Sequence, residues 1–191
     1  MSRLGRGFPN NQLMRQVPIL AAPPVFDSAG TGGNLNTASL SITTVSPNTY
    51  VIVDVQTDRA ATIGTPTIDS VAMTKLASSG WTARFGLAVA ASGSHSIAAG
   101  TGTAWDASAA VAYTNVARVV STVTGPTSVT LAAGQLALMA WGGGGAAAST
   151  YPGTRRATSQ DQGYCHVVES ETTLSMSLSP APTFLTVLSS R

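Results

Sequence analysis

Residues 67–91, TIDSVAMTKLASSGWTARFGLAVAA, alternate between apolar and polar positions along much of their length. One face stays apolar from Trp81 through Phe85 and Leu87 to Val89. A repeat of two residues is the pattern of a β-strand, because successive side chains of a strand point to opposite faces. Full burial of Trp81, Phe85 and Leu87 would contribute about 1.5–3 kcal/mol each to stability. The stretch therefore predicts the central meander of a β-sandwich.

Turn-forming residues divide this meander and the rest of the chain into short segments. Asp69-Ser70 and Ser78-Ser79-Gly80 each predict a tight connection between two strands. Further strand-like segments are 35–45, 50–55, 95–98, 107–116, 128–131, 134–141, 164–168, 173–178 and 183–188. Turn signals recur roughly every 8–12 residues, as in sandwiches and barrels. No apolar period of 3.6 residues occurs, so the sequence predicts an all-β chain: a single antiparallel, jelly-roll-like sandwich over residues 25–191.

Residues 1–24, MSRLGRGFPNNQLMRQVPILAAPP, differ in composition from everything that follows. Gly and Pro exclude a long helix or a central strand, yet the segment is too apolar for a solvated tail. Its candidate docking residues combine apolar anchors with arginines: Arg3, Leu4, Arg6, Phe8, Leu13, Met14, Arg15 and Ile19. We expect an extended N-terminal arm that docks on a neighbouring subunit, or alternatively a strap over its own sandwich. Pro18, Pro23 and Pro24 argue against a secretion signal.

The charge of the chain bears on its partners. Only 9% of residues are charged and the net charge is +2, whereas soluble domains average about 25% charged residues. A weakly charged surface provides little repulsion between copies, so we expect self-association or a place in an assembly. Clustered basic residues typical of nucleic-acid binders are absent from the sequence. With one cysteine, Cys165, no intrachain disulfide can form, and no apolar run is long enough to predict a membrane span.

The sequence offers little support for catalysis, a cofactor or a metal. His95 and His166 have no zinc-ligand spacing around them. Convergence of Asp54, Asp58 and Asp69 on a calcium ion stays open as a minor alternative, although no calcium-loop motif is present. The glycines at 142–145 are not followed by the Lys-Ser or Lys-Thr of a phosphate-binding loop. We therefore expect a non-enzymatic protein without a cofactor.

Aromatic and basic residues in predicted loops form a candidate surface-contact set: Trp105, Tyr151, Arg155 and Arg156. Aromatic and arginine side chains are enriched at interfaces, and exposed aromatics can stack on sugars. A carbohydrate-binding or host-adhesion module is therefore a second hypothesis. Trp105 has an equally good alternative as a side chain that folds back into the core.

Several segments together resemble a sandwich domain found in phage and bacterial surface proteins. They are IDSVAMTKL, the alternating strand that ends in AASGSHSI, AAVAYTNV, and the strand before the glycine-rich loop. The opening SRLGRGFPNNQL is similar to the start of minor tail proteins of actinobacterial, mycobacteriophage-like siphophages. Asp69-Ser70-Val71 departs from the glycine-containing hairpin usual in that domain, which leaves its turn type open.

The resemblance implies a virion structural protein made in the host cytoplasm. Its partners would be other virion proteins and copies of itself, with a host-surface glycan as a further candidate, and without nucleic acid or membrane insertion. A minor tail protein is the first expectation and a head decoration protein that cements the capsid is an alternative. The family carries no catalytic residues over to this chain.

Overall fold

The computed structural model describes residues 22–32, 39–57, 63–98, 107–141, 153–158, 166–170, 176–177 and 182–191. Within these ranges the chain forms strands and turns and no helix, and every strand pairing is antiparallel. The all-β sandwich prediction is therefore confirmed. The arm falls largely outside the description, since only its last three residues, 22–24, are included.

The strands in chain order are β1 (Val25–Gly32), β2 (Leu40–Thr44), β3 (Thr49–Gln56), β4 (Thr67–Ile68), β5 (Val71–Ala72), β6 (Thr74–Ser79), β7 (Thr82–Val89), β8 (Gly93–Ala98), β9 (Ala107–Thr114), β10 (Val116–Thr124), β11 (Ser128–Val129), β12 (Gln135–Trp141), β13 (Thr154–Thr158), β14 (His166–Ser170), β15 (Met176–Ser177) and β16 (Phe184–Ser190). They form a central sheet ordered β1-β9-β3-β7-β6, an outer sheet ordered β2-β8-β4-β5, and a C-terminal sheet ordered β10-β16-β12-β14-β13. β11 and β15 form a separate pair.

The middle of the central sheet is buried on both faces. In β3, TYVIVDVQ, Val51, Val53 and Val55 pack into a core shared with the outer sheet, whereas Ile52 packs into a second core shared with the C-terminal sheet. A strand covered on both sides has no solvent face, which explains why its sequence is almost continuously apolar. A third cluster, which includes Met139 of β12, lies on the opposite face of the C-terminal sheet.

The predicted meander is confirmed in its turns and corrected at one residue. Asp69 and Ser70 both have positive φ, 48° and 70°, and join β4 to β5 through the paired Ile68 and Val71. Two positive φ values in a two-residue loop are the signature of a type I′ turn. Gly80, with φ 55°, and Trp81 form the next hairpin loop, between β6 and β7.

Trp81 is not in the core, contrary to the prediction from the alternation. It is 53% exposed, whereas Phe85 is completely buried and Leu87 is half-buried. The physical reason is that β7 begins at Thr82, so Trp81 occupies the turn and lies outside the strand ladder. The alternating pattern continued one residue beyond the strand.

The strand register gives the central sheet two distinct ends. Val25 pairs with Thr114 and Thr49 with Val89 at one end, which we call the arm end. At the other, the loop end, Gln56 pairs with Thr82 and with Ala107, next to the Gly80–Trp81 turn. The eight residues of β1 run between the two ends, a distance of about 26 Å at 3.3 Å per residue.

Candidate functional site

The arm end is the first candidate interaction site, because residues 22–24, the described part of the predicted arm, lie there. The side-chain amide of Asn115 donates hydrogen bonds to the carbonyl oxygens of Ala22 and Pro23. Asn115 has φ 58° and lies between β9 and β10; Asn tolerates this left-handed conformation better than most residues. The root of the arm is therefore fixed to the body at a defined corner.

Exposed apolar side chains accompany this root. Val25 and Val45 are both exposed, and Asp27 connects their segments by accepting hydrogen bonds from the backbone N–H groups of Val45 (2.8 Å) and Ser46 (2.9 Å). Partial burial acts to raise the pKa of Asp27, but these hydrogen bonds outweigh it and the pKa lies below its usual value of 3.8. The carboxylate is thus held in its charged form and fixes the β2–β3 turn against β1.

The loop end is the second candidate site. Strands β1 and β3 end here, immediately before segments 33–38 and 58–62, and β9 begins here, immediately after segment 99–106. Trp81 is the large aromatic side chain that the described residues expose at this end, and its carbonyl accepts a hydrogen bond from the N–H of Thr57 (2.9 Å). An exposed indole on a fixed backbone is a suitable platform for stacking on a flat apolar ligand face.

Of the predicted docking and surface-contact residues, the structure describes Arg155 and Arg156. Arg155 is exposed on β13. Arg156 is half-buried, and its guanidinium carbon lies 4.3 Å from the ring centroid of Phe26 on β1, which itself meets Tyr113 edge-on at 5.8 Å. Arg156 therefore ties the C-terminal sheet to the central sheet by a cation–π contact. Arg155, by contrast, is exposed and stays a candidate for surface contact.

The other predicted site residues lie outside the described residues: Arg3, Leu4, Arg6, Phe8, Leu13, Met14, Arg15, Ile19, Trp105 and Tyr151. The docking arm and the aromatic part of the surface-contact set therefore stay predictions. Trp81 is an additional candidate, because it is an exposed aromatic residue at the loop end, where β9 begins after segment 99–106.

A fully buried ion pair, which the sequence reasoning missed, links the sheets. Arg84 on β7 donates from Nε and Nη2 to the two carboxylate oxygens of Asp54 on β3, both at 2.7 Å. Neither side chain is exposed. Its Nη1 donates to the carbonyl of Leu138 and to the hydroxyl of Thr186, both at 2.9 Å and both on the C-terminal sheet. The network thus fixes how the C-terminal sheet sits on the central one.

The sequence does contain a signal for this pair. Asp54 stands inside the apolar run YVIVDV and Arg84 inside the apolar strand TARFGLAV. Charged residues are rarely buried unless they are paired, so two opposite charges in two apolar predicted strands are candidates for each other. Both carboxylate oxygens of Asp54 are bonded to Arg84 and buried, so Asp54 is not free to bind a calcium ion shared with Asp69. Asp58, the third residue of that alternative, lies outside the described residues. The described residues contain no cluster of metal-binding side chains.

Thr44, His95 and Asp69 form a second polar chain, within the outer sheet, which is buried at Thr44 and His95 and half-exposed at Asp69. Nδ1 of His95 lies 2.6 Å from an Asp69 carboxylate oxygen, and Nε2 lies 3.2 Å from the hydroxyl of Thr44. The order resembles that of a nucleophile, a base and an acid. Thr44 is only 2% exposed, however, and its hydroxyl also donates to the carbonyl of Ala91 (3.4 Å). The chain therefore acts as a clamp between β2, β8 and the β4–β5 turn.

The search for relatives is negative. Comparisons with protein-family models, with curated proteins and with solved structures find no match. A helix of the length and apolar character needed to cross a membrane does not occur in the described part of the chain. The chemistry of the described residues therefore has to be interpreted from their own geometry.

The clamp predicts a specific acid sensitivity. The hydrogen bond with His95, followed by that from the N–H of Ser96 (2.9 Å), lowers the pKa of Asp69 below its usual 3.8. In the unfolded chain the Asp69 carboxylate is protonated near its usual pKa of 3.8, whereas in the folded chain it is protonated at a lower pH. The stabilisation is complete above about pH 4 and is lost as the pH falls through the folded pKa.

We expect Asp69→Asn to flatten the dependence of stability on pH. Asparagine also tolerates the positive φ at this position, so the turn itself should be retained. Urea unfolding of both proteins between pH 5 and pH 3 measures the effect: the wild type should lose more stability than the variant across this interval. Equal losses in the two proteins would show that the Asp69 contact contributes nothing.

Proposed function

We propose that this chain is a non-enzymatic structural subunit of a phage particle, a minor tail protein whose N-terminal arm docks on neighbouring subunits. The low charge, the apolar and arginine-bearing arm, and the resemblance to phage sandwich domains and tail proteins support this assignment. A subunit of this kind needs a self-contained body, one fixed point of attachment and one surface left free.

The observation that carries the proposal is that the root of the predicted arm and the exposed Trp81 lie at opposite ends of the central sheet. The arm enters at the corner held by Asn115, and Trp81 lies at the other end of the same sheet. About 26 Å of paired strand separates the two ends. A body anchored at its arm end would present its loop end away from the anchor, which is the geometry expected of a subunit that decorates a particle.

The internal ties of the body support the same role. The Arg84–Asp54 pair and the Arg156–Phe26 contact both connect the central and C-terminal sheets. Such cross-sheet contacts favour one arrangement of the layers, which suits a subunit that has to transmit its orientation from its anchor to its far end. Their chemistry serves packing: the Arg84 and Asp54 side chains are inaccessible to any substrate.

Deletion of residues 1–21 tests the proposal. The phage carrying this deletion should assemble particles that lack the protein, because residues 22–191 retain the body but not the docking arm. Trp81→Ala is the matched control and should be incorporated normally. Circular dichroism of the purified truncated chain establishes that it is folded; a folded truncation present at the wild-type copy number would contradict arm docking. Labelling of the protein on tails or on heads distinguishes a tail protein from a capsid decoration protein.

Carbohydrate binding at the loop end is a second candidate function, favoured by the exposure of Trp81. Indole rings stack on the apolar faces of sugars, and the described neighbours Ser79 and Gly80 leave its surroundings open. A glycan array probed with the full-length protein should show binding that Trp81→Ala or Trp105→Ala abolishes and that Val45→Ala, at the arm end, leaves intact. An array without signal, or one on which both tryptophan variants bind normally, would contradict this second function.

A further inference from the structure

The strand β10 has an edge that is not hydrogen-bonded to another described strand, although β6 of the central sheet approaches part of it. It is the terminal strand of the C-terminal sheet and, with nine residues, the longest described strand. Apart from its ladder with β16, residues 117–124 form no backbone hydrogen bond with other described residues. Val120 and Val123 are 41% and 44% exposed. A long edge with free N–H and C=O groups and exposed valines is a template for another strand.

The other terminal strands are protected in ways that β10 is not. The backbones of β1 and β2 are in contact, since a Cβ placed on Gly30 would collide with the carbonyl oxygen of Ser41. β13 is short and carries Arg155 and Arg156, and β5 has two residues. β6 exposes mainly polar side chains, among them Lys75. Charges and short length are the usual protections of an edge, and β10 has one arginine in nine residues.

The apolar surface at β10 continues a core of the protein. Val123 pairs with Leu185 of β16, and Ser121 pairs with Val187. Leu185 and Val187 belong to the third cluster, on the outer face of the C-terminal sheet. A strand added beside β10 would therefore extend an existing apolar layer as well as a hydrogen-bonded ladder.

We propose that the free edge of β10 receives the N-terminal arm of a neighbouring copy of this chain as an added antiparallel strand. The inference rests on the proposed arm docking and names the partner and the surface. Residues 1–21 precede the body, and at about 3.3 Å per residue they can span roughly 70 Å, more than twice the length of β10. The stretch VPILA at 17–21 is apolar and uncharged, which matches an edge that exposes valines.

The root of the arm indicates why the acceptor is a neighbour. Ala22 and Pro23 are held beside Asn115, one residue before β10 begins. Pro23 and Pro24 fix the backbone in an extended conformation, and a residue before proline is restricted in the same way. A tight reversal that would lay the arm on its own β10 is therefore disfavoured. The net charge of +2 also opposes contact between copies only weakly.

Disulfide trapping in the full-length chain tests the inference. In a Cys165→Ser background, Gln16→Cys or Gln12→Cys is placed in the arm of one tagged copy and Ser121→Cys on β10 of another. Co-expression and mild oxidation should give a disulfide-linked dimer of the two tagged chains. The matched control uses Ser94→Cys, at an exposed serine of β8, in place of Ser121→Cys. The yield of disulfide-linked dimer should be at least about tenfold lower in this control.

A second variant pair checks that the apolar edge is responsible. Val120→Glu with Val123→Glu should abolish trapping, whereas Val71→Glu, at an exposed valine of β5, should leave it unchanged. Equal trapping with Ser94→Cys would overturn the inference. So would a variant that carries both cysteines in one chain and forms its disulfide only within that chain. If trapping fails but the protein without residues 1–21 is still lost from particles, β10 is rejected as the acceptor and arm docking is retained. Trapping with normal incorporation of Δ1–21 would reject the proposed function instead.

Discussion

Replacement of Arg84 by methionine should lower the free energy of unfolding by about 3–5 kcal/mol, the range for removal of one partner of a buried ion pair. The carboxylate of Asp54 would stay completely buried without its two hydrogen bonds from the guanidinium. The carbonyl of Leu138 and the hydroxyl of Thr186 would lose a donor at the same time. This loss should exceed that of any exposed charge in the described structure.

Urea unfolding followed by circular dichroism measures this effect, with Lys75→Met as the matched control at an exposed cation on the adjacent strand. The double variant Arg84→Met with Asp54→Leu should recover much of the loss, because an apolar pair of similar volume often replaces a buried ion pair at little cost. A change below about 1 kcal/mol for Arg84→Met would place it among ordinary surface substitutions. It would also refute the role of Arg84 as the tie between the sheets.

Phe85→Ala should destabilise the protein by about 3–5 kcal/mol, the usual cost of truncating a buried aromatic side chain. Phe85 is completely buried in the core between the central and outer sheets. Trp81→Ala, four residues earlier, removes a larger side chain and should nevertheless cost under about 1 kcal/mol, since Trp81 is half-exposed in a turn.

Thermal and urea unfolding of the two variants, measured side by side, test the inward face of β7. The comparison is internally controlled, because both changes replace an aromatic residue by alanine in the same hairpin. A small effect for Phe85→Ala combined with a large one for Trp81→Ala would show that the face of the strand has been assigned in reverse.

Local patterns carried much of the fold. The turn at Asp69-Ser70 and the hairpin around Gly80 follow from residue types that tolerate positive φ. The continuous run in β3 and the alternation in β7 identify strands for a local reason, the pleat of the backbone. These features depend on neighbours in the sequence, so the sequence alone is enough to predict them.

The stacking of the layers could not be predicted in the same way. Alternation identifies two faces of a strand but does not say that a third sheet covers the second face, as it does over Ile52. The partner of Arg84 on that face includes Thr186, 102 residues away in the chain. Trp81 shows a further difficulty, since an apolar residue at the boundary of a strand extends the period without joining the ladder.

The candidate sites also differ in how far the local sequence predicts them. The composition of residues 1–24 predicts an arm, and Asn115 supplies the contact that locates its root. Nothing in the local sequence around Arg156 indicates that its guanidinium packs on Phe26, 130 positions earlier in the chain. Exposure of Val120 and Val123 similarly depends on β10 lying at the edge of its sheet.

A high-resolution image of the intact particle tests the central claim most directly. The account predicts residues 1–21 of each copy in contact with a neighbouring subunit, with the Trp81 turn directed away from that contact. Residues 1–21 folded entirely against their own subunit, with the Trp81 turn buried in the particle, would contradict it.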